Sequence, residues 1–73
     1  MNSPMMKLKV NGDDREFAAL ETLVDLLRAL SLDPERPGIA VALNERVIPR
    51  GELPTTRVQD GDRVEVIHAV QGG

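Results

Sequence analysis

The chain opens with a stretch in which apolar and charged residues alternate. In MKLKV, at residues 6–10, apolar side chains stand at every second position, with a lysine on either side of Leu8. A period of two is typical of a β-strand with one buried face. The pair Asn11-Gly12 follows, and both residues tolerate the positive φ angles of a tight hairpin turn. The next segment, DREFA, returns Phe17 to the same core, so the sequence predicts an opening hairpin.

The period then changes from that of a strand to that of a helix. In ETLVDLLRALSLD, at residues 21–33, leucines recur at the spacing i, i+3, i+4 and i+7: Leu23, Leu26, Leu27 and Leu30. This spacing predicts an amphipathic helix with one apolar stripe. Thr22 and Asp25 form a variant of the capping box, which predicts that the helix begins there. The pairs Asp33-Pro34 and Pro37-Gly38 are predicted to end the helix and to form the crossover loop.

Three more strands are predicted in the second half of the chain. GIAVAL, at residues 38–43, alternates larger apolar side chains on one face with Ala40 and Ala42 on the other. NE turns the chain into a short strand, RVIPR, which Pro49 ends because proline cannot donate a ladder hydrogen bond. GELPTTRV reads as irregular surface chain with room for one helical turn, and QDGD reads as a turn around Gly61. The last strand, RVEVIHAV, covers residues 63–70.

The order of these elements predicts the fold class. Two hairpin-like halves flank one helix, which describes an α+β roll of the β-grasp type, with a mixed sheet of four to five strands. The helix is expected to pack across one face of the sheet and to meet a set of apolar strand residues: Leu8, Val10, Phe17, Val41, Leu43, Val64 and Val66. The domain is predicted to span residues 6–70, between a disordered leader at 1–5 and a flexible tail at 71–73.

Composition narrows the classes of function. The 73 residues include no cysteine, which excludes disulfides, thiolate nucleophiles and Cys-based metal sites. The only histidine, His68, is interpreted as a partly exposed strand residue. A net charge of −3 and a single aromatic residue argue against nucleic-acid binding, which needs clustered cations and stacking surfaces. No apolar run approaches a signal peptide or a membrane span, so a cytoplasmic protein without membrane partners is expected.

The last predicted strand carries apolar residues on its outer face as well as on its inner face. If the valines at positions 64 and 66 point into the core, alternation puts Ile67 and Ala69 on the solvent side. They are expected beside Ala40 and Ala42 of the third strand, as a contiguous apolar patch next to the chain terminus. Such a patch favours a docking surface. The alternative is an ordinary strand end covered by a loop.

The sequence finishes on two glycines, Gly72 and Gly73. Glycine has no Cβ, so it can thread a narrow channel and lets a nucleotide come close to a terminal carboxylate. Glycine also costs more to order than other residues, which argues for access as its purpose at this position. Simple fraying of the terminus is the alternative, and it explains mobility without explaining why the chain ends there.

Together these segments resemble the ubiquitin-like sulfur carrier proteins, and within them the carriers of thiamine biosynthesis. The resemblance covers residues 6–73. It rests on VNG after the first strand, TLVDLL in the helix, VALNERVIPR across the middle hairpin, QDGDRVEVIHAV in the last strand and the terminal GG. The small subunit of molybdopterin synthase is similar in fold and ending, and the segment VIPR favours the thiamine carriers.

The resemblance implies a protein substrate and carrier that is not itself an enzyme. An adenylating activating enzyme would use ATP to activate the carboxylate of Gly73, and a sulfur donor such as a cysteine desulfurase would supply the sulfur of a thiocarboxylate. Thiazole synthase would then receive this sulfur. Gly73 is the modified residue in this scheme, Gly72 gives access to it, and the chain itself binds no cofactor and no metal. The residues expected to dock partners are Ile67, Ala69, Val70, Ala40 and Ala42.

Other functions stay open on the sequence. A carrier of this kind could serve molybdopterin, a sulfur-containing amino acid or tRNA thiolation. A second alternative is a β-grasp binding module that regulates or tethers other domains, for which removal of Gly72 and Gly73 would change nothing. A small enzyme is the least favoured, because the chain has one histidine, no cysteine and no paired carboxylates on a common face.

Overall fold

The structure is a computed structural model in which residues 5–68 are described. Within that range the elements follow the predicted order. The strands are β1 (Met5–Val10), β2 (Asp13–Ala18), β3 (Ile39–Leu43), β4 (Arg46–Ile48) and β5 (Arg63–His68). The main helix is α1 (Leu23–Ala29), and a single turn of 3-10 helix covers Arg50–Glu52.

The strands form one mixed sheet in the order β2-β1-β5-β3-β4. β1 and β5 run parallel beside each other, while β1–β2, β3–β4 and β3–β5 are antiparallel pairs. A parallel pair needs a crossover connection, which the segment from α1 through β4 supplies. In residues 5–68 the protein therefore has the ubiquitin-like β-grasp fold, and the predicted fold class is confirmed.

The core lies between α1 and the inner face of the sheet. Leu23, Leu26 and Leu27 are fully buried, and Leu30 packs against the same cluster. Six of the seven strand residues predicted for the core are buried: Leu8, Val10, Phe17, Val41, Val64 and Val66. The seventh, Leu43, is half-buried against the cluster. No polar side chain is buried among residues 5–68, so apolar burial is the interaction that holds the helix on the sheet.

The segment between β4 and β5 contributes two core residues that the sequence pattern did not predict. Leu53 and Val58 are each only 4% exposed. The backbone N–H of Val58 donates to Glu21 O at 3.1 Å, and Leu23 N–H donates to Thr56 O at 3.0 Å, so this segment is tied to the start of α1. The predicted helical turn is present, but the prediction of surface chain is wrong for Leu53 and Val58.

Helix α1 begins where the capping pattern predicts and ends earlier than the prolines predict. At its start the Asp25 carboxylate accepts hydrogen bonds from the backbone N–H groups of Glu21 and Thr22 at 2.9 and 3.2 Å. At its end Ser31 adopts a left-handed φ of 63°, and Leu32 N–H donates to Leu27 O at 2.8 Å. These contacts form a Schellman-type cap, so Ser31 ends the helix before Pro34 is reached.

The predicted boundary of the leader shifts by one residue, because Met5 already belongs to β1. Residues 1–4 and the tail at 71–73 lie outside the described residues. In the part of the chain that the structure describes, no helix is long and apolar enough to cross a membrane.

Candidate docking surface beside the C-terminal strand

Strand β5 carries one set of side chains into the core and the other set to the open face of the sheet. Val64 and Val66 are buried, whereas Glu65 and Ile67 point outward. Ile67 is 55% exposed on the open face of β5, an inner strand of the sheet. Four other residues predicted for the site lie outside the described residues: Ala69, Val70, Gly72 and Gly73.

Ala40 lies directly opposite Ile67, because β3 and β5 pair antiparallel with these two residues in register. Side chains of directly opposed residues share one face of a sheet, so Ala40 and Ile67 are neighbours there. Ala40 is exposed, and its small side chain leaves one flank of Ile67 open. The structure thus brings together two of the predicted residues on the outer face.

Ala42 lies on the same outer face and is only 7% exposed. Its register partners are Val47 on β4 and Glu65 on β5, and both are larger than alanine. A methyl group between two longer side chains is covered by them. Contrary to expectation, Ala42 therefore fills the space between its neighbours and offers little surface to a partner.

Val47 is a surface residue that the sequence reading did not single out. It is 70% exposed, the most exposed of the large apolar side chains among residues 5–68. A two-residue turn at Asn44 and Glu45 puts Val47 opposite Ala42, so it joins the outer face. The dipeptide NE and the alternation in RVI contain this register, and they could have predicted the position. We call Ala40, Val47 and Ile67, with Ala42 buried between them, the apolar sheet patch.

The other half of the open face is mostly charged, with Met5 exposed at the start of β1. Lys9 and Arg63 are neighbours in register on β1 and β5, and each has its own acidic partner. Lys9 Nζ lies 3.4 Å from Asp14 Oδ1, and Arg63 lies 3.5 Å from Glu45 Oε2. A shallow hollow between the two hairpin turns is lined by residues of both signs. These exposed pairs balance the charge of this half, so it favours neither an anion nor a cation.

No arrangement for metal binding is found in the described range. Among residues 5–68 no group of three His, Cys, Asp or Glu side chains is placed to hold a metal ion. His68 lies exposed at the end of β5, which agrees with its interpretation as a partly exposed strand residue.

A small β-grasp domain with an apolar patch on the open face of its sheet, beside its C-terminal strand, defines a ubiquitin-like protein that can present a surface to other proteins. Comparison with known proteins identifies the group within this class. The ThiS family model matches residues 8–73, so the chain belongs to the ThiS family.

Individual relatives agree with this assignment. The sulfur carrier protein ThiS of Escherichia coli is 32% identical over 68 residues, which cover 93% of this chain and 100% of the relative. The crystal structure of the thiamine biosynthesis protein ThiS from Geobacter metallireducens is similar with a TM-score of 0.77 and 34% identity. The match covers 93% of this chain and 100% of that one.

The chain also matches part of a longer protein. It is 35% identical over 68 residues to a thiazole synthase from Paramagnetospirillum magneticum. The match covers 93% of this chain, which spans only 20% of the length of that relative. That thiazole synthase therefore contains a segment similar to this chain within a larger polypeptide.

Proposed function

We propose that this protein carries sulfur for thiamine biosynthesis as a thiocarboxylate formed on Gly73. The observation that carries the proposal is the family match through residue 73, which includes Gly72 and Gly73. The similarity to ThiS of Escherichia coli over the whole of that carrier supports it further. In this proposal the protein is a substrate of its partners and performs no catalysis itself.

Activation of the carboxylate is the first step. A carboxylate is a poor electrophile and has to be activated. In the active site of an adenylating enzyme, a carboxylate oxygen of Gly73 would attack the α-phosphate of ATP. The products are an acyl-adenylate on the carrier and pyrophosphate. The absence of Cβ atoms at Gly72 and Gly73 lets the nucleotide and the enzyme backbone approach the reacting carbon closely.

Sulfur then replaces the nucleotide. The terminal sulfur of a persulfide, held by a partner such as a cysteine desulfurase, would attack the acyl carbon and release AMP. A thiol would then attack the donor's sulfur in the resulting acyl disulfide. This forms a new disulfide between the thiol and the donor, and it releases the thiocarboxylate on Gly73. A thiocarboxylate is a competent sulfur nucleophile, and thiazole synthase would consume it.

The inference of thiazole synthase as the recipient is supported by the longer relative. In a thiazole synthase that contains a carrier-like segment, the covalent link keeps synthase and segment at a high effective concentration. Such a link speeds their encounter if the two must bind each other in every catalytic cycle. In a chain that is not joined to the synthase, the same encounter depends on a binding surface.

The apolar sheet patch is the proposed surface for the activating enzyme. An enzyme that acts on the residues after β5 must approach the end of that strand, and Ile67 lies one residue before the strand ends at His68. Ile67 and Val47 are apolar, largely exposed and near the end of β5, whereas two ion pairs lie in the other half of the open face and its exposed Met5 lies at the start of β1. Exposed apolar groups of this kind are typical of the centre of a protein interface.

The test is the intact mass of the protein after incubation with the activating enzyme, ATP and a persulfide donor. We expect a gain equal to the replacement of one oxygen atom by one sulfur atom. The matched control is the same chain with one extra residue after Gly73, which should keep its fold by circular dichroism and gain no mass. Normal loading of the extended chain would contradict the proposal.

The pathway is tested by the choice of acceptor. The loaded protein should transfer its sulfur to thiazole synthase and not to the large subunit of molybdopterin synthase. The reverse outcome would keep the carrier chemistry and reject the thiamine assignment.

A further inference from the structure

Strand β5 loses one of its two neighbours before it ends. β1 runs parallel to β5 with Val10 opposite Val64, and β1 ends at Val10. The remaining residues of β5 continue to pair with β3 as far as His68. From Glu65 onward, the edge of β5 that faces the first hairpin has no strand beside it within residues 5–68.

The side chain of Asn11 occupies this edge. Asn11 N–H donates to Val64 O at 2.9 Å, which is the last main-chain contact of the β1–β5 pair. Beyond it, Val66 N–H donates to Asn11 Oδ1 at 2.8 Å, and Asn11 Nδ2 donates to Val66 O at 3.4 Å. A carboxamide offers the same donor and acceptor as a peptide group, so Asn11 extends the ladder by one residue after the chain has turned away.

The turn conformation makes this contact possible. Asn11 has a φ of 50° and Gly12 a φ of 87°. Positive φ angles at both residues are those of a type I′ turn, the common two-residue connection of a β-hairpin. Asparagine tolerates the left-handed region better than other residues with a Cβ. The same residue therefore closes the hairpin and holds Val66.

Asn44 makes an equivalent contact at the other end of β5. Its φ is also 50°, and it opens the second two-residue turn. Arg63 N–H donates to Asn44 Oδ1 at 2.9 Å, and Asn44 N–H donates to Arg63 O at 2.7 Å. One asparagine thus holds the first residue of β5, and the other holds the strand near its end.

We infer that Asn11 is a positioning residue for the carrier reaction: its amide holds β5 at Val66 so that the residues leading to Gly73 depart from a fixed point beside the apolar sheet patch. This inference rests on the proposed function. Without the amide, Val66 would keep neighbours only on the β3 side, and Ile67 and His68 would have to be ordered again on docking. Ordering of that kind weakens binding without changing the reaction itself.

The test compares the full chain carrying Asn11→Gly with a matched control, Asn44→Gly. Glycine adopts a φ of 50° without strain, so each substitution preserves its turn and removes only the side-chain amide. We expect hydrogen exchange of the Val66 amide to accelerate roughly tenfold or more in Asn11→Gly, and that of the Arg63 amide to accelerate in Asn44→Gly. Unchanged exchange at Val66 in Asn11→Gly would overturn the inference.

Adenylation kinetics supply the functional measurement. For Asn11→Gly we expect the KM for the carrier to rise about threefold to tenfold with kcat little changed, whereas Asn44→Gly should stay within about twofold of the wild type. Asn11→Asp keeps the acceptor for Val66 N–H and loses the donor, so its KM should lie between that of the wild type and that of Asn11→Gly. Equal KM values for Asn11→Gly and Asn44→Gly would overturn the inference. A wild-type protein that is not adenylated at all would overturn the proposed function, and that outcome is distinguishable because it affects every variant alike.

Discussion

The two faces of the sheet are built from the same strands and differ in what covers them. The inner face presents Leu8, Val64 and Val66 to the leucines of α1, and all of them are buried. The outer face has no helix over it in residues 5–68, and its side chains divide into a mostly charged half, which includes the exposed Met5, and the apolar sheet patch. Because side chains alternate along a strand, stability and recognition are carried by neighbouring residues that point in opposite directions.

This separation has a functional consequence. In the proposed function, the protein is bound and released by several partners while its fold stays constant. Side chains on the outer face can be replaced with little effect on the core, because most of them are already exposed to water in the free protein. Substitutions on the two faces measure how complete the separation is.

The largest effect on stability is expected on the inner face. Leu8→Ala removes a side chain that is 1% exposed and leaves a cavity under α1, so the free energy of unfolding should fall by about 2–5 kcal/mol. In a domain this small, that is a large fraction of the total. Urea unfolding followed by circular dichroism measures it. The control Leu8→Met conserves volume and should cost less than about 1.5 kcal/mol. A loss from Leu8→Ala as small as that from Leu8→Met would contradict the assignment of Leu8 to a tightly packed core.

A smaller effect on stability but a clear effect on binding is expected from Ile67→Asp on the outer face. A charge in the apolar sheet patch should weaken binding to the activating enzyme about tenfold or more. The free energy of unfolding should change by less than about 1 kcal/mol, because Ile67 is 55% exposed. Calorimetric titration and thermal unfolding measure the two quantities.

Ile67→Val is the control for this experiment, since it keeps an apolar, β-branched side chain in the strand. It should bind nearly as the wild type does. A large fall in melting temperature for Ile67→Asp would mean that the residue contributes to the core, and the separation of the two faces would fail at this position. Weaker binding to thiazole synthase alone would assign the patch to that enzyme instead.

The smallest effect is expected in the charged half of the outer face. Lys9→Ala breaks the ion pair between Lys9 and Asp14. Both side chains are well exposed, so the free energy of unfolding should change by about 0.5 kcal/mol or less. Affinity for the activating enzyme should not change. Weaker binding of Lys9→Ala would show that the interface extends beyond the apolar sheet patch, and the division of the outer face would have to be redrawn.

The sequence by itself determined the local features of this protein. The alternation in MKLKV and RVEV, the leucine spacing in α1 and the Asn11-Gly12 turn each depend on residues that are close together in the chain. Strand and helix periods are set by backbone geometry, so these patterns predicted the elements, their order and most of the core. The exposed face of Ile67 followed from the same alternation.

Only the tertiary structure decided which of these residues are accessible and which distant ones meet. Ala42 is covered because Val47 and Glu65 flank it, Leu53 and Val58 are buried under the start of α1, and helix α1 ends at a cap that no proline signals. Asn11 bonds to Val66 across 55 residues of sequence. Burial and long-range hydrogen bonds depend on neighbours brought together by folding, and a local pattern contains no information about their size or their distance.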